Sequence, residues 1–344
     1  MTAAAPVLIG TVADVDRHDT GPGHPERPAR LVAVERGFEA VRLAGAAIPL
    51  EGRPARFSEL TAVHGEAYLE ALAQLCEAGG GDIDADTRAS AGSWTTALAA
   101  AGLGLSAVEA LRRGEADAAF VAPRPPGHHA TAGRAMGFCL INNVAVTAAA
   151  LANGGDRVAI IDWDVHHGNG TQDIFWDDPR VLYASTHEWP TYPGTGRATD
   201  TGGPGAPDLT VNVPLPAGAT GDVARAAVDE VIGPAIEAFA PDWVLVSAGF
   251  DAHRDDPLAD LAWSAGDYAD LTRQVAALAP RPGRLVCFLE GGYDLDALAL
   301  SVGSTVAALA GVDHRSEAPT SGGPGRDAVA SAARIRARIQ GGLS

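Results

Sequence analysis

Short apolar runs that break off into polar residues recur along this chain. Val158-Ala159-Ile160-Ile161 runs into Asp162-Trp163-Asp164-Val165-His166, and Phe120-Val121-Ala122 runs into Arg124-Pro125-Pro126-Gly127-His128-His129. Val181 to Ala184 opens into Ser185-Thr186-His187, Trp243 to Val246 into Ser247-Ala248-Gly249-Phe250-Asp251, and Leu285 to Leu289 into Glu290-Gly291-Gly292-Tyr293. Runs this apolar, with no polar alternation, are the pattern of strands covered on both faces, as in a parallel sheet between helices. In such a sheet ligands collect beyond the carboxyl ends of the strands. The repeated arrangement therefore predicts one rim carrying His, Asp and Tyr side chains.

Between the runs the spacing becomes helical. Leu31, Val34, Phe38 and Val41, following Pro25 to Arg30, predict a surface helix. Trp94 to Leu111, Asn143 to Leu151 and Asp222 to Phe239 predict three more, the last with Asp222 as N-cap. Gly79 to Asp86 reads as a Gly/Asp-rich loop, and Glu188 to Pro207, rich in Gly, Pro and Thr, as a candidate binding loop. Helices alternating with strands predict an α/β protein. Residues 1–312 are expected to form one domain, and 313–344 a linker and C-terminal helix, with Arg334, Arg336 and Arg338, peripheral to it.

Composition narrows the partners. The chain has 344 residues, 47% of them hydrophobic, enough to bury a large core. The polar strand ends extend from residue 124 to residue 293, so a single site needs most of the chain in one sheet. No uninterrupted apolar stretch reaches the roughly 18 residues of a membrane span, and Met1 to Pro6 lacks a leader pattern, so a cytoplasmic protein with no membrane partner is expected. A net charge of -18 disfavours nucleic acid and suits a cationic partner, although such charge commonly serves only solubility. All 25 basic residues are Arg. Cys76, Cys139 and Cys287 are odd in number and widely spaced, which argues against disulfides and thiolate zinc and leaves nitrogen and oxygen ligands for any metal.

Asp164 and His166, two apart on an extended segment, point the same way. With Asp251 they would form an open three-ligand site of the catalytic zinc kind, a donor set that also accepts iron. Water bound to such an ion drops from a pKa of 15.7 towards roughly 7, less far with two anionic ligands, so a nearby base matters. His128 and His129 supply a general base and a proton donor. Asp162 is placed to fix a His tautomer, and the Tyr293 hydroxyl to donate to a developing oxyanion. Together these residues read as metal-assisted amide hydrolysis. Each alone has a plainer reading: adjacent histidines are often structural, Asp251 suits a helix cap, and strands often end in solvated turns. His18, His64, His253 and His314 show no partner pattern and are read as structural.

At this point the residues resemble a known family. Arg124-Pro125-Pro126-Gly127-His128-His129-Ala130, Gly137-Phe138-Cys139 with Asn142-Asn143, Asp162 to Gly168, Ala248-Gly249-Phe250-Asp251 and Glu290-Gly291-Gly292-Tyr293 resemble the histone deacetylase superfamily, in its bacterial class II-like branch with the acetylpolyamine amidohydrolases. The match runs in order from about His24 to Gly303. The resemblance implies the arginase/deacetylase fold, a single eight-stranded parallel sheet flanked by helices. It implies zinc at Asp164, His166 and Asp251, His128 and His129 as the catalytic pair, and Tyr293 polarising the carbonyl. It also implies a structural potassium ion near Asp162, Asp164, His166, Ser185 and Thr186, and a second monovalent site near Phe175 and Val181. Asn169 stands where many relatives have an Asp beside the second His, which leaves open which His shuttles the proton.

For substrate, the resemblance implies a channel walled by Phe138 and Tyr192, with Gly137 offering a backbone carbonyl and Asp86 contacting peptide backbone. Two facing rings grip an alkyl stem without reading what flanks it. Leu258 stands where polyamine-selective relatives carry Glu, and a Leu cannot attract a second ammonium. This favours an acylated lysine peptide or protein over an acetylpolyamine or other small acylated amine. A non-catalytic acyl-lysine binder would be expected to lack Tyr293 or a ligand, and a two-metal ureohydrolase to carry a carboxylate in place of His253. Oligomeric state is left open.

Overall fold

A computed structural model describes residues 4–41, 43 and 45–342; Met1–Ala3, part of the stretch without a leader pattern, lie outside the described residues. The strands are β1 (Val7–Thr11), β2 (Ala47–Pro49), β3 (Gly80–Asp82), β4 (Arg88–Ser90), β5 (Ala118–Ala122), β6 (Val158–Asp162), β7 (Val181–Glu188), β8 (Thr210–Leu215), β9 (Trp243–Ala248) and β10 (Leu285–Leu289). The helices are α1 (Ala29–Ala40), α2 (Phe57–Leu60), α3 (Glu66–Glu77), α4 (Ser93–Arg112), α5 (Asn143–Asn153), α6 (Asn169–Phe175), α7 (Gly221–Ala227), α8 (Gly233–Phe239), α9 (Ala265–Leu278), α10 (Leu295–Leu309) and α11 (Arg326–Gly342).

Eight strands form one parallel sheet in the order β2-β1-β5-β10-β9-β6-β7-β8, the architecture that the resemblance implies. The five strands read from apolar runs are its contiguous centre. Successive residues point to opposite faces, so Phe120 and Ala122 join the core under α1, α7, α9 and α10, while Ala119 and Val121 join the core under α3, α4 and α5. Three strands of this sheet escaped the sequence reading. β2 and β8 are the sheet's edges, and β1, its next strand in, is interrupted by Gly10. Edge position explains how β8 tolerates Pro214.

The structure also moves several boundaries. Gly79 to Asp86 is not wholly loop, because β3 pairs antiparallel with β4; Gly80, at φ 89°, lets the strands approach where a Cβ would lie 2.3 Å from the Ala89 carbonyl. The helix predicted from Asp222 begins at Gly221 behind Thr220, and a π turn at Val228–Ile232 divides α7 from α8. Pro234 has no N–H for the regular ladder, and the wider turn absorbs that gap. α1 is more than a surface helix: Leu31, Val34 and Gly37 are buried, and Gly37 sits against the α10 backbone. α4 has the length and composition of a membrane-crossing helix, yet most of it is buried against the core, with Gly104 facing the Phe288 ring and Thr147.

Candidate active site

The carboxyl ends of the central strands converge. Register places Asp162, the last residue of β6, between Ser185 of β7 and Ser247 of β9. The chain beyond β6 then delivers Asp164 and His166, and the chain beyond β9 delivers Asp251. One ligand atom from each of these three lies within 4.8 Å of the others. The His166 Nδ1 is 3.3 Å from Asp164 Oδ1 and 3.2 Å from Asp251 Oδ2. The remaining oxygens are anchored by backbone, with Asp164 Oδ2 accepting from Gly291 N (2.7 Å) and Asp251 Oδ1 from Val165 N (2.9 Å).

Both carboxylates are buried. Burial, reinforced by the Asp164 charge, pushes Asp251 up to about 7. Burial alone would lower His166, but its hydrogen bonds to Asp164 and Asp251 outweigh this and hold it at about 10. Two carboxylates sharing a dry site with an imidazole call for a cation, and the donor set fits a divalent ion. Ligands whose proton affinity is raised must release protons to bind that ion, so its affinity rises with pH. Uptake of a divalent ion is therefore expected to release protons at neutral pH and to weaken as pH falls from about 10, more steeply below about 7; titration calorimetry in buffers of different ionisation enthalpy checks this, and pH-independent uptake would contradict it.

Glycines make room for the carboxylates. A Cβ on Gly249 would lie 2.1 Å from Asp164 Oδ2, and one on Gly291 would lie 2.0 Å from Asp251 Oδ2 and 2.7 Å from Asp164 Oδ2. Gly168 meets Asp162 Oδ2 in the same way, at 2.1 Å. Gly291→Ala is thus expected to displace both carboxylates, costing about 1–3 kcal/mol in overpacking. Reduced metal per chain, with a lowered melting temperature, is the result to look for; normal metal content would count against this account.

His128 and His129 sit on the loop after β5 with ring centroids 4.0 Å apart. His128 Nδ1 pairs with Asp162 Oδ2 at 3.0 Å, and His129 Nδ1 with Asn169 Oδ1 at 2.9 Å. The partners split the pair. Burial lowers both, but the Asp164 and Asp162 charges reverse this for His128 and hold it at about 10, whereas the His128 charge drives His129 further down. Because the Asn169 amide donates towards Met136 and the His129 carbonyl, its Oδ1 must accept from His129 Nδ1–H. His129 Nε2 is then the unprotonated nitrogen.

Sequence reasoning gave no role to Glu290. Its buried carboxylate accepts from the backbone N–H of Gly127 (2.7 Å) and His128 (3.2 Å), and from Ser247 Oγ (3.1 Å), tying the β10 tip to the histidine loop. A Glu closing an apolar strand beside two glycines was the available signal. Arg30 was missed too. It donates to the Glu290 and Gly292 carbonyls and lies 5.0 Å from the Tyr293 ring centroid, and its guanidinium and that of Arg124 share the buried Glu26 carboxylate.

Above this floor lies a channel of about 190 Å³ lined by Asp86, His129, Gly137, Phe138, His166, Tyr192, Leu258 and Tyr293. Phe138 stacks edge-on to Tyr293 (5.8 Å) and Tyr192 edge-on to His129 (5.1 Å). Phe138 adopts φ 66°, an uncommon left-handed value for an aromatic residue, held by the turn between Met136 and Cys139. Among the described residues the Gly137 carbonyl takes only a Cys139 S–H contact, at 3.3 Å. Burial pushes the Tyr293 hydroxyl well above its usual range, so it remains an O–H donor. A roomier cleft of about 460 Å³, lined by residues such as Thr11, Arg17, Glu51 and Thr95, shares none of these groups.

Ser185 and Thr186 are buried beside Asp162, whereas Phe175 and Val181 lie towards the opposite end of β7. His64 is buried, donating to the Thr131 carbonyl and accepting from Asn142 N, and His18 bonds Ser93 Oγ. The three cysteines are free and buried.

A parallel α/β sheet that gathers a His pair, a carboxylate and imidazole triad and a tyrosine at one channel floor defines a hydrolase of the deacetylase kind. The chain belongs to the histone deacetylase family: the model of the histone deacetylase domain matches residues 24–309. It is 41% identical over 307 residues to a probable deacetylase of Archaeoglobus fulgidus, covering 86% of this chain and 84% of that one. It is 38% identical over 276 residues to a histone deacetylase-like amidohydrolase of Pseudomonas aeruginosa, covering 79% and 73%. The crystal structure of the HDA15 HD domain superposes with a TM-score of 0.88 at 33% identity, covering 98% of each chain.

Proposed function

We propose that this protein is a zinc-dependent amidohydrolase that removes acetyl or similar acyl groups from the side-chain amine of acyl-lysine or a related primary amine. The observation that carries the reading is the meeting of Asp164, His166 and Asp251 with the His pair and Tyr293 at the end of an aromatic-walled channel. A divalent ion held by the three ligands would supply Lewis acidity, lowering the pKa of water and polarising the amide carbonyl. His129 Nε2, unprotonated, accepts the proton of the attacking water. His128, held protonated beside Asp162, delivers a proton to the leaving amine, and Tyr293 Oη donates to the developing oxyanion. A structural potassium ion near Asp162, Asp164, His166, Ser185 and Thr186 would offset part of the buried negative charge.

Phe138 and Tyr192 would enclose an alkyl stem, with Gly137 receiving the amide N–H. At the mouth, Leu258 and Tyr192 are 38% and 37% exposed, an apolar part of the rim where Leu258 offers no charge to a second ammonium, while Asp86 is a carboxylate lining the same channel. An acylated lysine peptide is the substrate this rim suits. To test the reading, zinc and iron in the purified protein are quantified, and acetyl-lysine peptide and acetylputrescine are assayed with and without a chelator. Chelator-sensitive hydrolysis of the peptide is the expected result. Preference for the polyamine would overturn the Leu258 argument, and no turnover of either by metal-loaded protein would overturn the acyl-lysine assignment.

A further inference from the structure

The segment after α10 lies beyond the residues matched by the family model, which ends at 309, yet it reaches into the loop that follows Asp251. Glu317 Oε2 is 2.7 Å from His253 Nε2 and accepts from Ala265 N at 2.8 Å, while its other oxygen pairs with Arg254. The neighbouring residues are bound as closely: the Ala318 carbonyl accepts from Ser264 Oγ (2.8 Å), and Thr320 donates through both its N–H and hydroxyl to the buried Asp267 carboxylate. Gly266 has no side chain because a Cβ there would lie 2.3 Å from the Glu317 carbonyl. A strap that merely covered the surface would need none of this.

The contact continues inward. His253 is buried, and its Nδ1 lies 3.2 Å from the Asp255 N–H. A backbone N–H can only donate, so Nδ1 accepts and Nε2 carries the proton given to Glu317. Both ring nitrogens are thereby engaged, which explains why the trio His253, Asp255 and Glu317, although grouped closely enough for a metal, forms a hydrogen-bond relay. The His253 carbonyl accepts from Asp256 N at 2.9 Å. Asp256 in turn receives Leu258 N on one oxygen (3.1 Å) and Tyr293 N (2.6 Å) and Asp294 N (3.2 Å) on the other. An unbroken path thus joins Glu317 to the backbone of the channel-mouth Leu258 and of Tyr293.

We propose that Glu317 is a positioning residue: through His253 and Asp256 it sets where Tyr293 and Leu258 stand, so the C-terminal strap completes the site without touching substrate. This rests on the amidohydrolase reading, with Tyr293 as oxyanion donor. The test uses the full chain and three variants, Glu317→Ala, Glu317→Gln and Arg254→Ala. Metal content, kcat and KM for acetyl-lysine peptide, and hydrogen exchange of the Tyr293 and Asp294 amides are measured for each. Glu317→Ala is expected to keep its metal, to lose about 10-fold or more in kcat with KM changing less, since small misplacements of a catalytic group cost that much, and to expose both amides to faster exchange. Glu317→Gln, whose oxygen still accepts from His253 and Ala265, should recover most of the loss, and Arg254→Ala should match the parent. Should the alanine variant not fold, Glu317→Asp, whose carboxylate falls short of His253, gives the same reading. Unchanged kcat and exchange in the variants, or equal losses in the alanine and glutamine forms, overturns the proposal. If the parent chain hydrolyses no acyl amide, the functional reading fails, while the exchange data still decide the relay.

Discussion

Asp251→Ala is expected to abolish metal retention and to lower amide hydrolysis about 10³-fold or more, because a catalytic ion contributes several kcal/mol of transition-state stabilisation and each 1.36 kcal/mol is tenfold in rate. Stability should change much less. Removing Asp251 strands the Val165 N–H, at a cost of about 1–3 kcal/mol, but it also removes a buried carboxylate that repels Asp164, and the two effects oppose each other. Asp251→Asn separates them, since its amide oxygen keeps the Val165 bond while the charge is lost. Metal analysis, turnover and thermal melting of both variants check this. Full zinc content and turnover in the alanine variant would remove Asp251 from the ligand set.

Tyr293→Phe should behave differently. Here kcat is expected to fall by about 10² to 10³, the effect of losing one oxyanion donor worth about 2.7–4 kcal/mol, with metal content and KM close to those of the parent. The phenyl ring keeps its edge-on contact with Phe138 and its place beside the Arg30 guanidinium, so no loss of stability is anticipated. Burial keeps the hydroxyl protonated, so in the parent no loss of rate from its ionisation should occur below pH 10 or so. A Phe variant with parental kcat would mean that the oxyanion is stabilised by other groups.

How much of this was readable from the sequence depends on what each residue answers to. The central strands were legible because burial on both faces writes itself as uninterrupted apolar runs, and Asp164, His166 and Asp251 because a parallel sheet displays its strand ends on one rim. β1, β2 and β8 were not, since Gly10, the three residues of β2 and the Asn212 and Pro214 of β8 dilute the signal at the sheet's margin. Glu290, Arg30 and Asp256 act through backbone N–H and C=O groups of distant segments. Such partners have no sequence spacing, and only the closed fold brings them together. The motif resemblance supplied Phe138 and Tyr192, whose channel role no periodicity could reveal.

The strand order has a consequence for how the chain assembles. β9 and β10, made last, lie between β5 and β6, so the six strands of the main sheet that precede them in the chain cannot close it among themselves. Until residue 289 has emerged, β5 and β6 present unpaired edges towards each other, an arrangement prone to wrong pairing. Insertion of the last two strands fills that gap and carries in Asp251 and Tyr293 at the same moment. Contacts so distant in sequence make slow folding the expectation, and a chain stalled before residue 285 would be an aggregation hazard rather than a partly working enzyme.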